Sequence, residues 1–277
     1  MYDLAALESA LTGSIFAGRI HFAAVTGSTN NDALEAARSG ASHGSAWLAD
    51  EQIAGRGRSG HVWQSIAGEG LYVSVLLRPQ LPPDQFADRL LLLPLAAGLA
   101  AAAAIHSAAG ITVDLRWPND LLLGPRKFCG ILTELNAEVT RIRHVVIGIG
   151  INVHQPQFPA ELRDLATSLE IETGRAWPRQ ELLIALLQSL HREVLALSDP
   201  AAAPIAAQSI LERLEQASSW VRGKRVRVEE LEGFSGVTEG LDARGFLQVR
   251  TPQGLRTVFS GGVREIGARE ITETRGT

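Results

Sequence analysis

The sequence predicts a mixed α/β domain over residues 1–219 and a small β-barrel over residues 220–277, and three observations support this division. Helix and strand patterns alternate along the first part, which is typical of a mixed α/β fold. A long glycine-rich stretch separates two of its apolar strands, and short alternating strands with glycine turns follow Trp220. The length of 277 residues also suits one large domain with a small partner better than one compact domain.

Composition and charge limit the classes of protein to which the chain can belong. Hydrophobic residues make up 45% of the chain and charged residues 20%, which is enough apolar material for a sizeable core. With a formal charge of -4, the chain lacks the overall positive field of non-specific nucleic-acid binders. An anionic ligand must therefore be bound by locally placed positive charge. The single cysteine, Cys129, excludes an internal disulfide and suits the cytoplasm, which is the location we expect.

We expect neither a signal peptide nor a membrane span. The first eight residues carry acidic side chains where a secretory signal would carry basic ones. The stretch between Arg89 and Asp114 has no formally charged residue and is long enough to cross a bilayer. Its second half is mostly alanine, and Pro94, Gly98 and Gly110 interrupt it, so we predict a core helix instead.

Apolar periodicity predicts the individual elements. Those of the first part are helices at 3–11 and 30–38, strands at 20–25, 46–50 and 71–77, an alanine-rich helix before Asp114, a strand ending at Trp117, strands at 128–135 and 145–153, and helices at 179–197 and 205–217. The barrel strands are predicted at 225–228, 246–249 and 257–259. Ser28 or Thr29 can cap the second helix, and the long loop 52–69 is expected to be functional.

The first motif that carries chemistry is Gly55-Arg56-Gly57-Arg58-Ser59-Gly60. Its glycines allow the backbone to approach a ligand, and its two arginines carry permanent charge that suits phosphate or carboxylate. Arginine-glycine runs also occur in disordered nucleic-acid-binding tails. The position of this run between two core strands favours a ligand site.

The second and third motifs follow the alanine-rich helix. Arg116-Trp117-Pro118-Asn119-Asp120 presents an amide and an acid at a strand end, although a plain type I turn has the same composition. Arg126-Lys127-Phe128-Cys129-Gly130 places Lys127 at the start of a strand, where most lysines are simply solvated. Gly130 leaves room over the sheet at the same point.

The fourth motif is Gly148-Ile149-Gly150-Ile151-Asn152, in which two glycines alternate along one face of a strand. The final amide can pair with a base or a phosphate. The motif is not a dinucleotide fingerprint, because Val153 occupies the place of the third glycine. The sequence has no Walker loop, zinc-ligand spacing, nucleophile elbow or kinase signature, and no metal-ligating residues are predicted.

Together and in this order, the four motifs resemble those of biotin protein ligases: Gly-Arg-Gly-Arg-x-Gly, Trp-Pro-Asn-Asp, Arg-Lys-x-x-Gly-Ile-Leu and Gly-x-Gly-x-Asn. The resemblance begins at Ser28-Thr29-Asn30 and reaches the terminal barrel at 258–263. It implies a class II synthetase-like catalytic domain with a mixed sheet and a C-terminal SH3-like β-barrel. The implied activity is ATP-dependent transfer of biotin, through biotinyl-5'-AMP, to a lysine of a biotin carboxyl carrier protein.

The resemblance also implies roles for individual residues. Those expected to bind biotin or the nucleotide are Ser28, Thr29, Asn30, Gln52, Arg56, Gly57, Arg58, Trp117, Asn119, Lys127, Gly130, Gly148, Gly150 and Asn152. Arg58, Lys127 and Asp120 are the expected catalytic residues, and Asp120 would lie near the incoming lysine or a Mg²⁺ ion. ATP, biotin and Mg²⁺ are thus the implied small molecules, and the sheet edges offer surfaces for the carrier or for a homodimer.

The electrostatics of acyl activation agree with these roles. Joining a carboxylate to the α-phosphorus of ATP brings two anions together, so cations such as Arg58 and Lys127 must offset the repulsion. In the second step the carrier lysine must lose a proton, and Asp120 is the nearest motif acid that could accept it. A glycine-rich loop that closes over the mixed anhydride would exclude water.

Three other functions compete with biotin ligation. A ligase or transferase for lipoate or octanoate would share the fold, but the Gly-Arg-Gly-Arg loop and the barrel favour biotin. A biotin-dependent repressor would need an N-terminal helix-turn-helix domain, and only about two dozen residues precede 22–26, so we expect no DNA partner. A non-catalytic biotin-binding module would not require Lys127, Asp120, Arg56 and Arg58, so the presence of all four favours an enzyme.

Overall fold

A computed structural model describes residues 2–79, 92–138, 141–229, 233–259 and 261–266. The helices are α1 Leu4–Ala10, α2 Thr29–Arg38, α3 Leu92–Ala109, α4 Leu169–Thr173, α5 Arg179–Ser198 and α6 Ala203–Ala217. The larger sheet contains β1 Ile20–Thr26, β2 Ser45–Gln52, β3 Gly70–Leu77, β4 Asp114–Arg116, β5 Asp120–Leu123, β6 Arg126–Glu138 and β7 Arg141–Asn152. The smaller sheet contains β8 Arg222–Glu229, β9 Phe234–Leu241, β10 Leu247–Thr251, β11 Gly254–Val258 and β12 Gly262–Glu265.

The larger sheet has seven strands in the order β1-β2-β3-β7-β6-β5-β4. Strand β1 runs parallel to β2, and the remaining neighbours are antiparallel, which makes the sheet mixed as predicted. Alternate residues of β7, Ile147, Ile149 and Ile151, are buried in the main core beneath the helices. The residues between them, including Gly148 and Gly150, face the other way.

The two faces of this sheet are covered unequally. Helices α3 and α5 pack together and bury their apolar side chains on one face. On the other face, α2 packs Ala33 and Ala37 against Leu76 and Val146 at one end of the central strands. The rest of that face, which carries the glycines of β6 and β7, is left to the loop between β2 and β3.

Helix α3 is the alanine-rich helix predicted from the sequence. Among the described residues it alone is long and apolar enough to cross a membrane, but 61% of it is buried within the protein. Its contacts with α5 and with the sheet account for its apolar composition, as the prediction of a core helix requires. The beginning of the uncharged stretch, residues 90–91, lies outside the described residues.

The C-terminal sheet is antiparallel, with the order β11-β10-β9-β8-β12. Its buried side chains, such as Val226 and Leu247, belong to the main core. Trp117 of the first part also donates its indole N–H to the carbonyl of Gly245 at 2.9 Å. Strand β9 was not predicted from the sequence, because the glycines after Trp220, which include Gly236 and Gly240, were all interpreted as turn residues. Gly236 in fact lies within β9, where a Cβ would come within 2.3 Å of the Arg250 carbonyl oxygen. The boundary between residues 219 and 220 stays a prediction.

Candidate active site

An open cleft of about 440 Å³ lies over the part of the sheet that α2 leaves uncovered. The predicted site residues that line it are Ser28, Thr29, Asn30, Gln52, Arg56, Gly57, Arg58, Asn119, Lys127, Gly130, Gly148 and Gly150. Although they come from distant parts of the sequence, the fold brings these residues to one place. The lining also includes Trp63 and Tyr72, which the sequence analysis did not select.

Three glycines form the floor of the cleft. Gly130 of β6 and Gly150 of β7 are register partners, and Gly148 precedes Gly150 on the same face. A methyl group on Gly148 would come within 2.0 Å of Asn30 Oδ1. A methyl group on Gly150 would come within 2.4 Å of Trp63 Nε1. The bare backbone therefore makes room for side chains that reach over the sheet from α2 and from the loop.

Uncharged side chains form a hydrogen-bonded network at one end of the cleft. Gln52 Oε1 accepts from the Thr29 amide at 2.8 Å, and Gln52 Nε2 donates to Ser65 Oγ at 2.7 Å. The Thr29 hydroxyl lies 2.7 Å from Ser74 Oγ, which donates to Asn30 Oδ1 at 2.5 Å. This end of the cleft therefore offers amide and hydroxyl groups in fixed orientations.

The start of α2 differs from the sequence prediction. Ser28 precedes the helix, but its side chain makes no capping hydrogen bond. The Thr29 hydroxyl contacts Ser74 and Gln52 instead of the helix amides. The prediction that one of these hydroxyls caps α2 is therefore wrong, because both residues line the cleft.

The loop between β2 and β3 forms a hairpin that crosses the cleft. Its arms are joined by backbone hydrogen bonds, including Gly57 N to His61 O at 2.7 Å. A 3₁₀ turn over Arg58–Gly60 forms its tip. This backbone carries Arg56 and Arg58 over the glycine floor, so both arginines line the cleft.

The two arginines have different partners across the cleft. Arg56 forms an ion pair with Glu134 of β6 at 2.8 Å and donates to Asn31 Oδ1 at 2.7 Å. Arg58 donates to the neutral Asn119 Oδ1 at 2.9 Å. The charge of Arg56 is thus already balanced by a carboxylate, whereas the charge of Arg58 is available to an anionic ligand.

Lys127 and Asp120 form the charged end of the cleft. Lys127 Nζ lies 2.6 Å from Asp120 Oδ1, and Arg116 Nη2 lies 2.6 Å from Asp120 Oδ2. Burial alone would raise the pKa of the Asp120 carboxyl, but the charges of Lys127 and Arg116 outweigh burial and hold that pKa below its usual value. Burial lowers the pKa of the Arg58 guanidinium, and the charge of Asp120 opposes that effect.

Trp63 and Glu134 complete the site, and the sequence analysis selected neither. The Trp63 ring centroid lies 5.3 Å from Lys127 Nζ, and its indole N–H is buried without a hydrogen-bond partner among the described residues. Glu134 accepts from Asn30 Nδ2 at 2.8 Å as well as from Arg56. The available signals were an aromatic residue inside a glycine-rich loop and an acid within an apolar strand.

Three predicted site residues lie outside the lining of the cleft. The Trp117 indole is buried against the C-terminal sheet, and the Asn152 amide is buried and donates to the Thr167 carbonyl at 3.0 Å. The Trp117 indole nitrogen and the Asn152 amide nitrogen thus each have a partner within the protein, and contacts of these two residues with a nucleotide stay a prediction. Asp120 approaches the cleft through its ion pair with Lys127.

The substitution Gly148→Ala is expected to lower the free energy of unfolding by about 1–3 kcal/mol. The added methyl would displace the Asn30 carboxamide from its contacts with Ser74 and Glu134. Gly27→Ala is the matched control, since its methyl would meet no atom within 4 Å. Urea unfolding of both variants measures the difference, and equal stabilities would contradict the close packing of Asn30 over the floor.

Comparison with known proteins gives two family matches. Residues 22–152 match the Biotin/lipoate A/B protein ligase family. Residues 222–263 match the Biotin protein ligase C terminal domain. The first match spans the lining of the cleft, and the second spans most of the smaller sheet.

Individual relatives extend this similarity over most of the chain. It is 37% identical to the Bifunctional ligase/repressor BirA of Bacillus subtilis (88% of this chain, 72% of the relative). It is 33% identical to the Biotin--[acetyl-CoA-carboxylase] ligase of Paracoccus denitrificans (86% of this chain, 98% of the relative). Its structure is similar to that of the Aquifex aeolicus biotin protein ligase in complex with biotin and ATP. That likeness has a TM-score of 0.76 and 30% identity, and it covers 90% of this chain and 100% of the other.

Proposed function

The chain belongs to the biotin protein ligase family, and from that premise we propose that it activates biotin with ATP as biotinyl-5'-AMP and transfers the biotinyl group to a carrier lysine. The acceptor in this proposal is a biotin carboxyl carrier protein. A relative named biotin--[acetyl-CoA-carboxylase] ligase supports that choice. The cytoplasmic location expected from the single cysteine is part of the same proposal.

The observation that carries this proposal is the contrast between the two ends of the cleft. Thr29, Asn30 and Gln52 supply uncharged donors and acceptors, which suit the neutral urea ring of biotin. Arg58 and Lys127 supply cations at the other end, which suit the biotin carboxylate and the phosphates of ATP. One elongated substrate can therefore be held with its ring at the polar end and its carboxylate beside the cations.

The first step joins the biotin carboxylate to ATP. A carboxylate oxygen attacks the α-phosphorus, the bond from that phosphorus to the bridging oxygen breaks, and pyrophosphate leaves with the electron pair. The carboxylate is ionised at neutral pH, so this step requires positioning and charge neutralisation more than a base. Arg58 and Lys127 provide the positive charge where the phosphoryl oxygens become more negative.

Trp63 supplies an apolar wall to the activated intermediate. Its ring lies beside Lys127 and over Gly150, and the paired arms of the hairpin hold it there. The flat face can stack on an aromatic base, and the buried indole N–H is free to donate to a ligand acceptor. A hairpin that covers the acyl-phosphate bond also excludes water, which would hydrolyse it.

The second step transfers the biotinyl group to the carrier. The lysine nitrogen attacks the acyl carbon, AMP leaves, and the lysine loses a proton. Asp120 is the acid that its motif position predicts as the acceptor of this proton. Its lowered pKa and its two cationic partners make Asp120 a weak base, so we assign it instead to holding Lys127.

Magnesium enters this proposal with ATP. Among the residues that the structure describes, no group of three or more His, Cys, Asp or Glu side chains could hold a metal ion. The Asp120 carboxylate is occupied by two cations, and Glu134 is occupied by Arg56. We therefore propose that Mg²⁺ is held mainly by the phosphates, as is usual for magnesium nucleotide complexes.

The lipoate alternative is weaker than the biotin proposal. The family matched by residues 22–152 includes lipoate ligases, so that match alone does not separate the two substrates. The match of residues 222–263 to the biotin protein ligase C-terminal domain supports biotin. Within the described residues 2–19 the only helix is α1.

Arg58→Gly is expected to release the activated intermediate early. The substitution removes both the contact with Asn119 and the cation of the hairpin tip, so biotinyl-5'-AMP should escape and label bystander lysines. Arg58→Lys keeps the charge and serves as the control. The measurement is biotin incorporated into added serum albumin by each variant, and labelling no greater than that by the unaltered protein would contradict the role of Arg58.

Biotin-dependent exchange of labelled pyrophosphate into ATP tests the first step of the proposal. We expect exchange with biotin and none with lipoate at the same concentration. Exchange with lipoate alone would move the chain to the lipoate branch of the family. Absence of exchange with both acids would contradict the adenylate mechanism.

A further inference from the structure

Arg116 lies outside the lining of the cleft but binds the carboxylate that holds Lys127. Its Nε and Nη2 both donate to Asp120 Oδ2, at 3.2 and 2.6 Å. Lys127 Nζ takes the other carboxylate oxygen, at 2.6 Å. Arg116 and Asp120 are register partners in the β4–β5 hairpin, so the backbone itself sets their spacing. Asp120 is therefore held at both oxygens by cations from two strands.

Arg116 is itself held by the start of the C-terminal part of the chain. Its Cζ lies 5.3 Å from the ring centroid of Trp220, whose side chain is buried. The Ser218 hydroxyl ties this segment to β4 by donating to the Leu115 carbonyl at 2.5 Å. Lys224 of β8 lies 5.0 Å from the same Trp220 ring. The guanidinium is thus positioned between the buried carboxylate and the connection to the smaller sheet.

This arrangement matters when Lys127 changes partner. To contact phosphoryl oxygens, the ammonium must loosen its ion pair with Asp120. A buried carboxylate without a counter-ion is strongly unfavourable, so Asp120 would resist that change if Lys127 were its only partner. With Arg116 on the second oxygen, the carboxylate keeps a counter-ion while Lys127 moves to the substrate.

We propose that Arg116 is a positioning residue: it fixes Asp120 so that Lys127 can pass from Asp120 to the anionic substrate, and Trp220 holds Arg116 in place. The catalytic part of this inference rests on the proposed function. The C-terminal part of the chain then contributes to the reaction through Trp220, although that residue touches no substrate.

The charged groups that face Asp120 determine how its ionisation should respond. They are Lys127 from β6, Arg116 from β4 and Arg58 from the hairpin. The Cys129 thiol lies nearby, but burial raises its pKa and keeps it neutral. Removal of Arg116 leaves fewer cations beside the carboxylate, so the pKa of Asp120 should rise.

Arg116→Met tests the inference in two ways. In the substrate-free protein, carbon-13 NMR of labelled aspartate carboxyls should show that Asp120 titrates at a higher pH in this variant, with the signal assigned by its absence in Asp120→Asn. In the carrier-labelling assay, kcat should fall about tenfold, with the KM for biotin changed less than about twofold. The acid limb of the pH profile should move to higher pH, and Arg116→Lys should restore most of both properties.

Two further variants serve as comparisons. Arg126→Met is the matched control, since Arg126 adjoins Lys127 in sequence but pairs with Glu172 at 2.6 Å, outside the cleft. It should leave kcat and the Asp120 titration unchanged. Trp220→Leu should also raise the pH at which Asp120 titrates. If Arg116→Met does not fold, Trp220→Leu is used in its place.

The outcomes separate this inference from the proposed function. If Asp120 titrates at the same pH in Arg116→Met as in the unaltered protein, the positioning role is overturned. It is also overturned if Arg116→Met and Arg116→Lys lower kcat equally and the acid limb of the pH profile does not move. If the unaltered protein labels no carrier, the proposed function fails. The NMR titration still decides whether Arg116 controls Asp120.

Discussion

Replacement of Lys127 by alanine is expected to reduce biotin-dependent pyrophosphate release by about 10²–10³-fold. The substitution removes the ammonium that faces the cleft beside Trp63 and Gly130. Arg58 would remain as a cation of the lining, but Arg116, the other cation paired with Asp120, lies outside that lining and could not take the place of Lys127. Single-turnover release of pyrophosphate from ATP and biotin measures the first step without contribution from the carrier.

The matched control for this prediction is Arg126→Ala. Arg126 precedes Lys127 on β6, and its partner is Glu172, so its loss should change the rate little. Circular dichroism and thermal unfolding should show that both variants fold. Near-normal pyrophosphate release by Lys127→Ala would contradict the assignment of Lys127 as a catalytic residue.

Asp120→Asn is expected to lower the free energy of unfolding at pH 7 by about 3–5 kcal/mol. The neutral amide leaves Lys127 and Arg116 without the carboxylate that now lies 2.6 Å from each of them. Two like charges would then share a mostly buried space without compensation. Urea unfolding at pH 7 gives this difference directly.

The pH dependence of that difference provides a second test. The pKa of Asp120 is lower in the folded protein than in the unfolded chain, where it is about 3.9. Its contribution to stability is therefore fully present above the unfolded pKa and is lost as the pH falls through the folded value. The difference in the free energy of unfolding between the unaltered protein and Asp120→Asn should be constant from about pH 7 to 5, and it should become smaller below about pH 4. A difference independent of pH would contradict the ion-paired state of Asp120.

The large elements of the fold could be predicted because their patterns are local. The apolar alternation of β7 and the long apolar stretch of α3 are visible in sequence, and both elements are present in the structure. Strand β9 could not be recognised, because Gly236 serves a close approach to Arg250 rather than a turn. The Thr29 hydroxyl was likewise assigned to a helix cap, although Ser74, distant in sequence, binds it.

The candidate site could be predicted where a short motif contains the functional side chain and also indicates the kind of ligand that the side chain would bind. The arginine-glycine loop and Lys127 carry charge at positions that any anion-binding site needs, and both line the cleft. Glu134 and Trp63 act through partners on other elements, so the local signals of an acid in an apolar strand and an aromatic residue in the loop did not by themselves predict a role. For Trp117 the motif predicted a ligand contact but could not show that its indole N–H donates to the distant Gly245 carbonyl, and the ligand contact stays a prediction.

The most direct test of the proposed function is the mass of a carrier protein after incubation with this protein, ATP, magnesium and either biotin or lipoate. A biotin carboxyl carrier domain should gain the mass of one biotinyl group, and a variant whose acceptor lysine is replaced by arginine should gain none. With lipoate its mass should not change. A lipoyl increment, or no increment from biotin while the same carrier is modified by an established biotin ligase, would contradict the account.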